Sequence, residues 1–310
     1  MKRKIFRILG YFLTGVLFLT GLLIFICPLL AGSMTDQAVT EKVESFYSAK
    51  ENVSGQDGGE EDGQKTEQQK QNNELYEEMQ KYNQSIAKNG QSGLVDAWSY
   101  EQSSIDLSGY GLYDAPVGVI RIPKMEEELP VYLGASGSNM SKGAAQLGQT
   151  SMPIGGADTN CVIVAHRGYY GSSFFREIER LEVGDEVYIE NLWETLSYRV
   201  TGITVISPDE IDKVLIQKGK DMVTLVTCHP YPMNYQRYVV YCERILENEE
   251  NKVEINSARG NAGASGDGGS EILIKMDKGT YIAIPVMLAA LELWLLRKEK
   301  KERKKRRGSR

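Results

Sequence analysis

Two residue types that build many exported or metal-binding proteins are scarce in this chain. It contains four cysteines and two histidines among 310 residues. Four cysteines, one of which lies in an apolar N-terminal run, do not form a disulfide framework. The sequence also has no Cys-x-x-Cys pair, so a zinc site is not expected. No metal and no cofactor is predicted.

Charge is missing from one long stretch near the N-terminus. No charged residue stands between Arg7 and Asp36, and residues 8–31 form an apolar or small run of 24 residues. A run of this length is enough to cross a bilayer. A cleaved signal peptide is the alternative, since small residues follow at positions 31–33. The length of the run favours an uncleaved anchor.

A second apolar run, residues 279–296, carries one charged residue, Glu292, and leads directly into a basic tail. The tail, residues 297–310, has ten basic and two acidic residues. A basic end by itself is typical of a solvated tail or a nucleic-acid arm. Next to an apolar run it indicates a stop-transfer anchor that is held in the cytoplasm.

The charge is divided unevenly along the chain, whose net charge is −6. Residues 1–7 carry +4 and the tail carries +8, which leaves −18 for residues 36–296. The positive-inside rule therefore predicts that both termini are cytoplasmic and that the middle of the chain is extracellular. An acidic middle is also a poor nucleic-acid binder.

The segment between the first apolar run and the β-rich region looks like a connector. Residues 54–74 have no aliphatic or aromatic side chain, so we predict a flexible stalk over residues 36–74. The next residues, 74–90, have a helical pattern that ends at Gly90, as a C-cap would. A Gly/Ser-type linker is predicted over residues 251–278.

Residues 105–250 have the pattern of one mainly-β domain. Short runs of β-branched and aromatic residues alternate with clusters of Gly, Pro, Asp and Ser, as in a barrel or a sandwich. One helix is predicted over residues 172–181, with Phe175, Ile178 and Leu181 on one face. The predicted strands are residues 117–123, 129–134, 161–166, 185–191, 196–206, 223–228 and 237–245.

Three reactive or charged side chains stand at the ends of these strands. Cys228 ends "VTLVTC", His166 ends "CVIVAH", and Arg237 opens the run after the following loop. Each alone has a structural interpretation, as a small hydrophobe, a hydrogen-bonded histidine or a solvated charge. Together they supply the base and the cation that a cysteine nucleophile needs.

The other cysteines and the second histidine are less suited to that chemistry. His229 follows Cys228 directly, and neighbours in a strand point to opposite faces, so it is not expected to serve the sulfur. Cys161 and Cys242 lie inside apolar runs, and we predict that they are core thiols. Whether these two cysteines pair stays open.

The joint pattern resembles the sortases. "TLVTC" (224–228) is similar to their Thr-Leu-x-Thr-Cys motif, and "VIVAHRG" (162–168) resembles their catalytic-histidine strand. The arginine of "NYQRYVV" stands where their essential arginine stands, and the resemblance covers roughly residues 75–250. The two predicted anchors and "LVDAWS" (94–99) resemble class C, the pilin-polymerising sortases, whose lid carries Asp-Pro-aromatic.

The resemblance implies an eight-stranded sortase-type β-barrel with short helices, flanked here by two transmembrane helices. It also implies a cysteine transpeptidase that cuts a C-terminal Leu-Pro-x-Thr-Gly-type signal between Thr and Gly and leaves a thioester. An amine of a pilin lysine or of a cell-wall cross-bridge then accepts the acyl group. Cys228 would be the nucleophile, His166 the general acid and base, and Arg237 the group that binds the oxyanion or the substrate backbone.

For the lid, the resemblance implies that Asp96 pairs with Arg237 and that Trp98 covers Cys228. In an extended segment, residues two apart point the same way, which favours this arrangement. The chain departs from the family in two places. Ala97 stands where the lid usually has Pro, and His229 follows the nucleophile where a smaller residue is common.

Three other functions remain open. One is a sortase of another class that anchors proteins to the cell wall, another is a papain-like exported hydrolase, and the third is a non-catalytic membrane-tethered β module. The predicted setting is the membrane of a Gram-positive-type bacterium. The predicted segments are a cytoplasmic N-terminus (1–7), an anchor (8–31), a stalk (36–74), a helical segment and lid (75–104), the catalytic barrel (105–250), a linker (251–278), a second span (279–296) and a cytoplasmic tail (297–310).

Overall fold

The β-type runs of the sequence form strands, because β-branched and aromatic side chains suit a pleated and largely buried surface. The computed structural model describes residues 2–54, 63–99, 103–110, 112, 114–169 and 171–245. Its strands are β1 (Gly118–Ile122), β2 (Glu127–Leu133), β3 (Ala144–Gln146), β4 (Thr159–Val164), β5 (Glu186–Asn191), β6 (Thr195–Ile206), β7 (Asp221–His229) and β8 (Gln236–Arg244). They close into a barrel in the order β1-β2-β3-β4-β7-β8-β6-β5. The mainly-β, eight-stranded barrel is confirmed.

All seven predicted strands are present, and the eighth, β3, was not predicted. It consists of Ala144, Ala145 and Gln146, and has neither a β-branched nor an aromatic side chain. It exists because β2 pairs with it on one side and β4 on the other. Such pairing joins residues that are distant in the chain, so a local pattern does not reveal it.

Alternate residues of the strands fill the inside of the barrel. Ile120, Val131, Ile163, Leu225 and Val240 belong to one cluster, and each is at most 1% exposed. Burial of a side chain of this size contributes about 1.5–3 kcal/mol to the free energy of unfolding. The interior is therefore a packed core.

The intervening residues of β4, β7 and β8 face the outside of the barrel and form a second cluster. Val164, Val226 and Val239 are buried there together with Leu94, which belongs to the chain before the barrel. Trp98 packs against the same cluster. The segment around Leu94 thus covers the outer face of three strands, and this is the face on which the candidate site lies.

The helix predicted over residues 172–181 is wrong. Only Ile178–Arg180 form a short 3-10 helix, and Phe174 has a left-handed backbone with φ of 46°. Phe174 and the adjacent Phe175 are both buried in the barrel cluster. A helix of ten residues that buries one stripe does not bury both neighbours equally well, so the chain turns instead.

The flexible stalk predicted over residues 36–74 is also wrong in its described parts. Helix α1 (Lys2–Ser54) and helix α2 (Gly63–Asn89) cover it except for residues 55–62, which lie outside the described residues. In α1, Val39, Val43 and Phe46 are buried and occupy one face. Their i, i+4, i+7 spacing is typical of an amphipathic helix. The stalk was predicted from composition alone, which does not contain this spacing.

An ion pair in α1 and buried apolar side chains in α2 hold these helices on the barrel. Lys50 of α1 forms an ion pair of 2.7 Å with Glu190 of β5, whose side chain is 5% exposed. In α2, Leu75 and Met79 are fully buried. The predicted helix over residues 74–90 is confirmed, and Gly90 closes it with a φ of 83°.

Among the residues that the structure describes, no helix has both the length and the hydropathy to cross a membrane. The anchor predicted over residues 8–31, which falls on the first half of α1, is therefore not supported. The predicted linker (251–278), second span (279–296) and basic tail (297–310) lie outside the described residues. The described part of the chain ends at Ile245, directly after β8.

Candidate active site

The parallel pairing of β4 and β7 brings His166 and Cys228 together. Val164 is the register partner of Val226, and Ala165 N donates to Val226 O at 3.3 Å. Continuing this register by two residues brings His166 level with Cys228. Neighbouring strands lie about 4.8 Å apart, so the two residues are neighbours across adjacent strands.

The antiparallel pairing of β7 and β8 brings in Arg237. Cys228 and Arg237 are direct register partners, so their side chains lie on the same face of the sheet. Arg237 Nη1 lies 4.0 Å from Cys228 Sγ and also donates to Asn234 O (3.1 Å) and to Gln236 O (2.9 Å). These carbonyl contacts fix one edge of the guanidinium beside the sulfur.

The three predicted residues border one cavity of about 350 Å³. Cys228 and Arg237 are each 7% exposed, and His166 is partly buried. The other residues of the wall come from the lid segment, the turn after β4 and the loop between β7 and β8. They are Trp98, Arg167, Gly168, Tyr231 and Asn234.

His166 is held by aromatic and backbone contacts. Its ring stacks on Tyr169 at a centroid distance of 5.1 Å, and its carbonyl accepts a hydrogen bond from Phe175 N at 3.1 Å. Between them, Gly168 has a φ of 90°, a conformation in which a side chain would be strained. A Cβ there would also lie 2.5 Å from Arg176 Nη2, so the turn needs glycine at this position.

Burial shifts the ionisation of both reacting groups toward the neutral form. It raises the pKa of the Cys228 thiol to about 11, while the nearby charge of Arg237 lowers that pKa, Asp96 raises it, and Arg167 lowers it. Burial also lowers the pKa of His166 below its ordinary value. With the cavity covered as it is here, a thiol and a neutral imidazole are the favoured pair at neutral pH.

The lid residues contact Arg237. Both oxygens of Asp96 accept hydrogen bonds from the guanidinium, each 2.7 Å long, and the indole ring of Trp98 lies 4.6 Å from Arg237 Cζ. Trp98 also meets the His166 ring edge-on, with a centroid distance of 6.3 Å. The structure therefore brings Asp96 and Trp98 to the same wall as Cys228.

The local conformation of the lid differs from the extended segment that we predicted. Ala97–Ser99 form a 3-10 helix, and Trp98 N donates to Asp96 Oδ2 at 3.2 Å. This hydrogen bond lets the carboxylate cap its own turn while it binds Arg237. Through this turn, and not through strand alternation, Trp98 lines the cavity and Asp96 binds Arg237 in its wall.

His229 belongs to a separate polar cluster. Its Nδ1 lies 2.9 Å from Arg167 Nη1 and 3.2 Å from Glu179 Oε1. His229 itself does not line the cavity, in line with its opposite face on β7, although its partner Arg167 does. Sequence reasoning missed Arg167, although it follows directly after the predicted histidine, and Glu179, whose place in the cluster depends on the turn that was predicted as a helix.

Cys161 and Cys242 are core thiols, as predicted, and they do not pair. Both are free and buried, and both are register partners of Val223, one from each side. Strand β7 therefore lies between them, which puts their Cα atoms about 9–10 Å apart. A disulfide needs Cα atoms within about 7 Å, so the barrel itself excludes this bond.

Comparisons with known proteins agree on one family. A family model described as the sortase domain matches residues 120–245. Sortase A of Bacillus anthracis is 32% identical over 124 residues, which are 40% of this chain and 57% of that protein. Sortase A of Streptococcus agalactiae serotype III is 30% identical over 131 residues, or 41% and 52%. The chain thus spans less than two thirds of the length of these curated relatives.

Solved structures match more of the chain. Sortase C1 of Streptococcus agalactiae in complex with MTSET has a TM-score of 0.53 and is 32% identical, covering 58% of this chain and 92% of that one. Sortase C1 of GBS pilus island 1 has a TM-score of 0.56 and 30% identity, covering 68% and 94%. With its barrel, its cysteine, histidine and arginine around one cavity, and this coverage, the chain belongs to the sortase family.

Proposed function

We propose that this protein is a class C sortase, a cysteine transpeptidase that joins proteins bearing a C-terminal Leu-Pro-x-Thr-Gly-type signal to an amine. The observation that carries the proposal is the convergence of Cys228, His166 and Arg237 on one covered cavity. The cover, formed by Asp96 and Trp98, binds Arg237, which the reaction needs. The similarity to sortase C1 structures, one of them named for a pilus island, supports the class.

The first half of the reaction forms a thioester. His166 accepts the thiol proton as Cys228 Sγ attacks the carbonyl carbon of the threonine in the signal, and Arg237 stabilises the negative charge that develops on the carbonyl oxygen. For this, Asp96 must release the two guanidinium nitrogens that it now binds. His166 protonates the amine of the departing glycine, and the Thr–Gly bond breaks.

The second half returns the enzyme to its starting state. The incoming amine attacks the thioester carbon, and His166 accepts the proton that the amine loses. The sulfur leaves as the Cys228 thiolate, which takes that proton from His166, so that both groups are neutral again. We propose a pilin lysine as the acceptor, so that repeated transfer polymerises a pilus.

The test uses the full chain and a synthetic peptide that contains Leu-Pro-x-Thr-Gly. Intact mass spectrometry should detect an acyl-enzyme that has gained the peptide without its glycine end, and the adduct should be absent from Cys228→Ala. Added lysine-containing peptide should convert the adduct to a ligated product. A wild-type protein with a reactive Cys228 that neither forms the adduct nor cleaves the peptide would refute the proposal.

A cell-wall-anchoring sortase of another class is the second candidate. Three of the curated relatives that the chain matches are named Sortase A, which favours it. The two candidates differ in their acceptor, a pilin lysine or the amine of a cell-wall cross-bridge. Competition between a lysine peptide from a pilin and a cross-bridge peptide, with the same acyl donor, separates them by the ratio of the two products.

The proposed place of work is outside the cell, at the membrane. The charge of −18 on residues 36–296, between two basic ends, supports this orientation. Protease added to intact protoplasts should digest the barrel and leave a C-terminal tag protected. Digestion only after lysis would show that the barrel is inside.

A further inference from the structure

A second buried guanidinium lies beside the candidate nucleophile. Arg167 follows His166 in the turn after β4 and borders the same cavity as Cys228. The residue is 8% exposed, which is rare for an arginine unless it is paired. The reaction proposed above assigns it no role, so its burial calls for a physical reason.

The contacts of Arg167 join three segments around the end of β7. Its Nη2 forms an ion pair of 2.7 Å with Glu179 Oε1, and its Nη1 lies 2.9 Å from His229 Nδ1. Nη1 also donates, at 3.4 Å, to the backbone carbonyl of Cys228 itself. The guanidinium carbon lies 6.0 Å from the ring centroid of Tyr238 on β8. Arg167 thus contacts both residues at the end of β7 and the strand beside them.

We propose that Arg167 is a positioning residue for Cys228, fixing the end of β7 that carries the nucleophile and keeping a permanent positive charge behind the sulfur. The role rests on the proposed function, because it matters only if Cys228 reacts. Arg237 binds the sulfur from the β8 side and exchanges partners when the lid opens. Arg167 is tied to Glu179 and needs no such exchange.

The electrostatics agree with this geometry. The positive charge of Arg167 lowers the pKa of the Cys228 thiol, in the opposite direction to burial. The hydrogen bond from Arg167 also lowers the pKa of Glu179, so this carboxylate stays ionised over the working range of pH. Glu179 is half exposed, so the pair is reached by solvent and its strength is reduced by screening.

The experiment measures the rate of alkylation of Cys228 by iodoacetamide against pH, in a full-length Cys27→Ser background that removes the exposed cysteine. The variants are Arg167→Gln, Arg167→Lys and Glu179→Gln. The control is Arg180→Gln, which removes an exposed positive charge from the 3-10 helix that carries Glu179. Each variant is also assayed for kcat and KM on the signal peptide, and its Tm is measured.

Arg167→Gln should shift the alkylation profile to higher pH, with a rate about three- to tenfold lower near pH 8. Its kcat should fall and its KM should stay near that of the wild type. Arg167→Lys should recover part of the shift, since it keeps the charge but not the fork of donors. Glu179→Gln should give a smaller shift, and Arg180→Gln none.

A purely structural role would lower the Tm of Arg167→Gln and leave the alkylation profile of the folded protein unchanged, which would overturn the inference. A shift of equal size in Arg180→Gln would also overturn it, because the shift would then depend on the net charge of the region and not on the position of Arg167. Alkylation needs no substrate. A wild-type protein that is alkylated but does not process the peptide would therefore refute the proposed function and leave the role of Arg167 to be decided by the profiles.

Discussion

Asp96 and Arg237 are joined by two hydrogen bonds of 2.7 Å, from the guanidinium Nε and Nη2 to the two carboxylate oxygens. The remaining nitrogen, Nη1, is the one that lies 4.0 Å from Cys228 Sγ. The lid therefore occupies the two nitrogens that face away from the sulfur. It also brings a negative charge that raises the pKa of the thiol. We therefore expect the lid to inhibit the site in two ways, by covering it and by favouring the protonated form of Cys228.

Replacement of that carboxylate by an amide should make Cys228 more acidic. In Asp96→Asn the negative charge is lost and the charge of Arg237 is no longer balanced, so the thiolate is favoured and the pKa of Cys228 falls. A fall of about one pKa unit makes the thiolate about tenfold more abundant at a pH below the pKa. The alkylation rate against pH, in a Cys27→Ser background, measures the shift. Asp158→Asn, at the other end of β4, is the control, and a profile identical to that of the wild type would contradict the prediction.

Removal of both lid side chains should open the cavity at every pH. Asp96→Ala, Trp98→Ala loses the ion pair and the packing of the indole on Arg237, and burial of an indole alone contributes about 2–3 kcal/mol. A small thiol reagent should then modify Cys228 more than tenfold faster than in the wild type. If the labelling rate of the double variant equals that of the wild type, the lid does not guard the site.

Substitution of Ala97, which lies between Asp96 and Trp98, tests how stiff the lid is. Ala97 is the first residue of the 3-10 helix, a position at which proline fits. Ala97→Pro should stabilise the closed lid by about 0.4–1 kcal/mol, because the open segment has less entropy to lose. Labelling of Cys228 should slow about two- to fivefold. Ala97→Gly should act in the opposite direction, and a change of the same sign in both variants would argue against a closing equilibrium.

Substitution of a residue at the cavity should lower the activity far more than substitution of His229. Cys228→Ala should abolish cleavage and transfer of a sorting-signal peptide, and His166→Ala and Arg237→Ala should each lower kcat/KM by about a hundredfold or more. His229→Ala should stay within about threefold, because its ring does not line the cavity and contacts Arg167 and Glu179 instead. Similar losses for His166→Ala and His229→Ala would show that the acid–base residue is misassigned.

The hydrogen bonds between Asn83 of α2 and the backbone of Met152 should contribute to the free energy of unfolding. Asn83 is 5% exposed; it accepts a hydrogen bond of 2.7 Å from Met152 N and donates one of 3.5 Å to Met152 O. Asn83→Ala leaves a buried backbone N–H without its partner and should cost about 1–3 kcal/mol. Denaturant unfolding measures the loss. Gln84→Ala, one residue along on the exposed side of the helix, should change the free energy of unfolding by less than about 0.5 kcal/mol.

The strands and the catalytic positions were readable from the sequence for a physical reason. Most of the buried strands are runs of β-branched or aromatic residues, and Cys228 and His166 stand at or near the ends of two such runs, so both positions were identifiable. The pairing that joins them was not, since nothing local states that β4 and β7 are parallel neighbours. The missed strand β3 and the contact of Glu179 with Arg167 likewise depend on distant partners.

The wrong predictions arose where one local signal was given too much weight. The polar composition of residues 54–74 suggested disorder, although Val39, Val43 and Phe46 already showed an apolar helical face just before it. In residues 172–181 the apolar spacing fits a helix, but the barrel buries Phe174 and Phe175 together and bends the chain. In each case burial against the barrel decided the structure, and burial is a property of the whole fold.

The parallel pairing of β4 and β7 also bears on the order in which the three side chains meet during folding. Ala165 and Thr227, which are 62 residues apart, are joined by a hydrogen bond of 2.8 Å next to His166 and Cys228. Contacts of such long range form late and slowly, because a large loop must close first. A partly folded chain in which β7 and β8 have paired therefore holds Cys228 beside Arg237 but not yet beside His166. We expect Cys228 to gain its full reactivity only when β4 and β7 have paired, whatever the state of the lid.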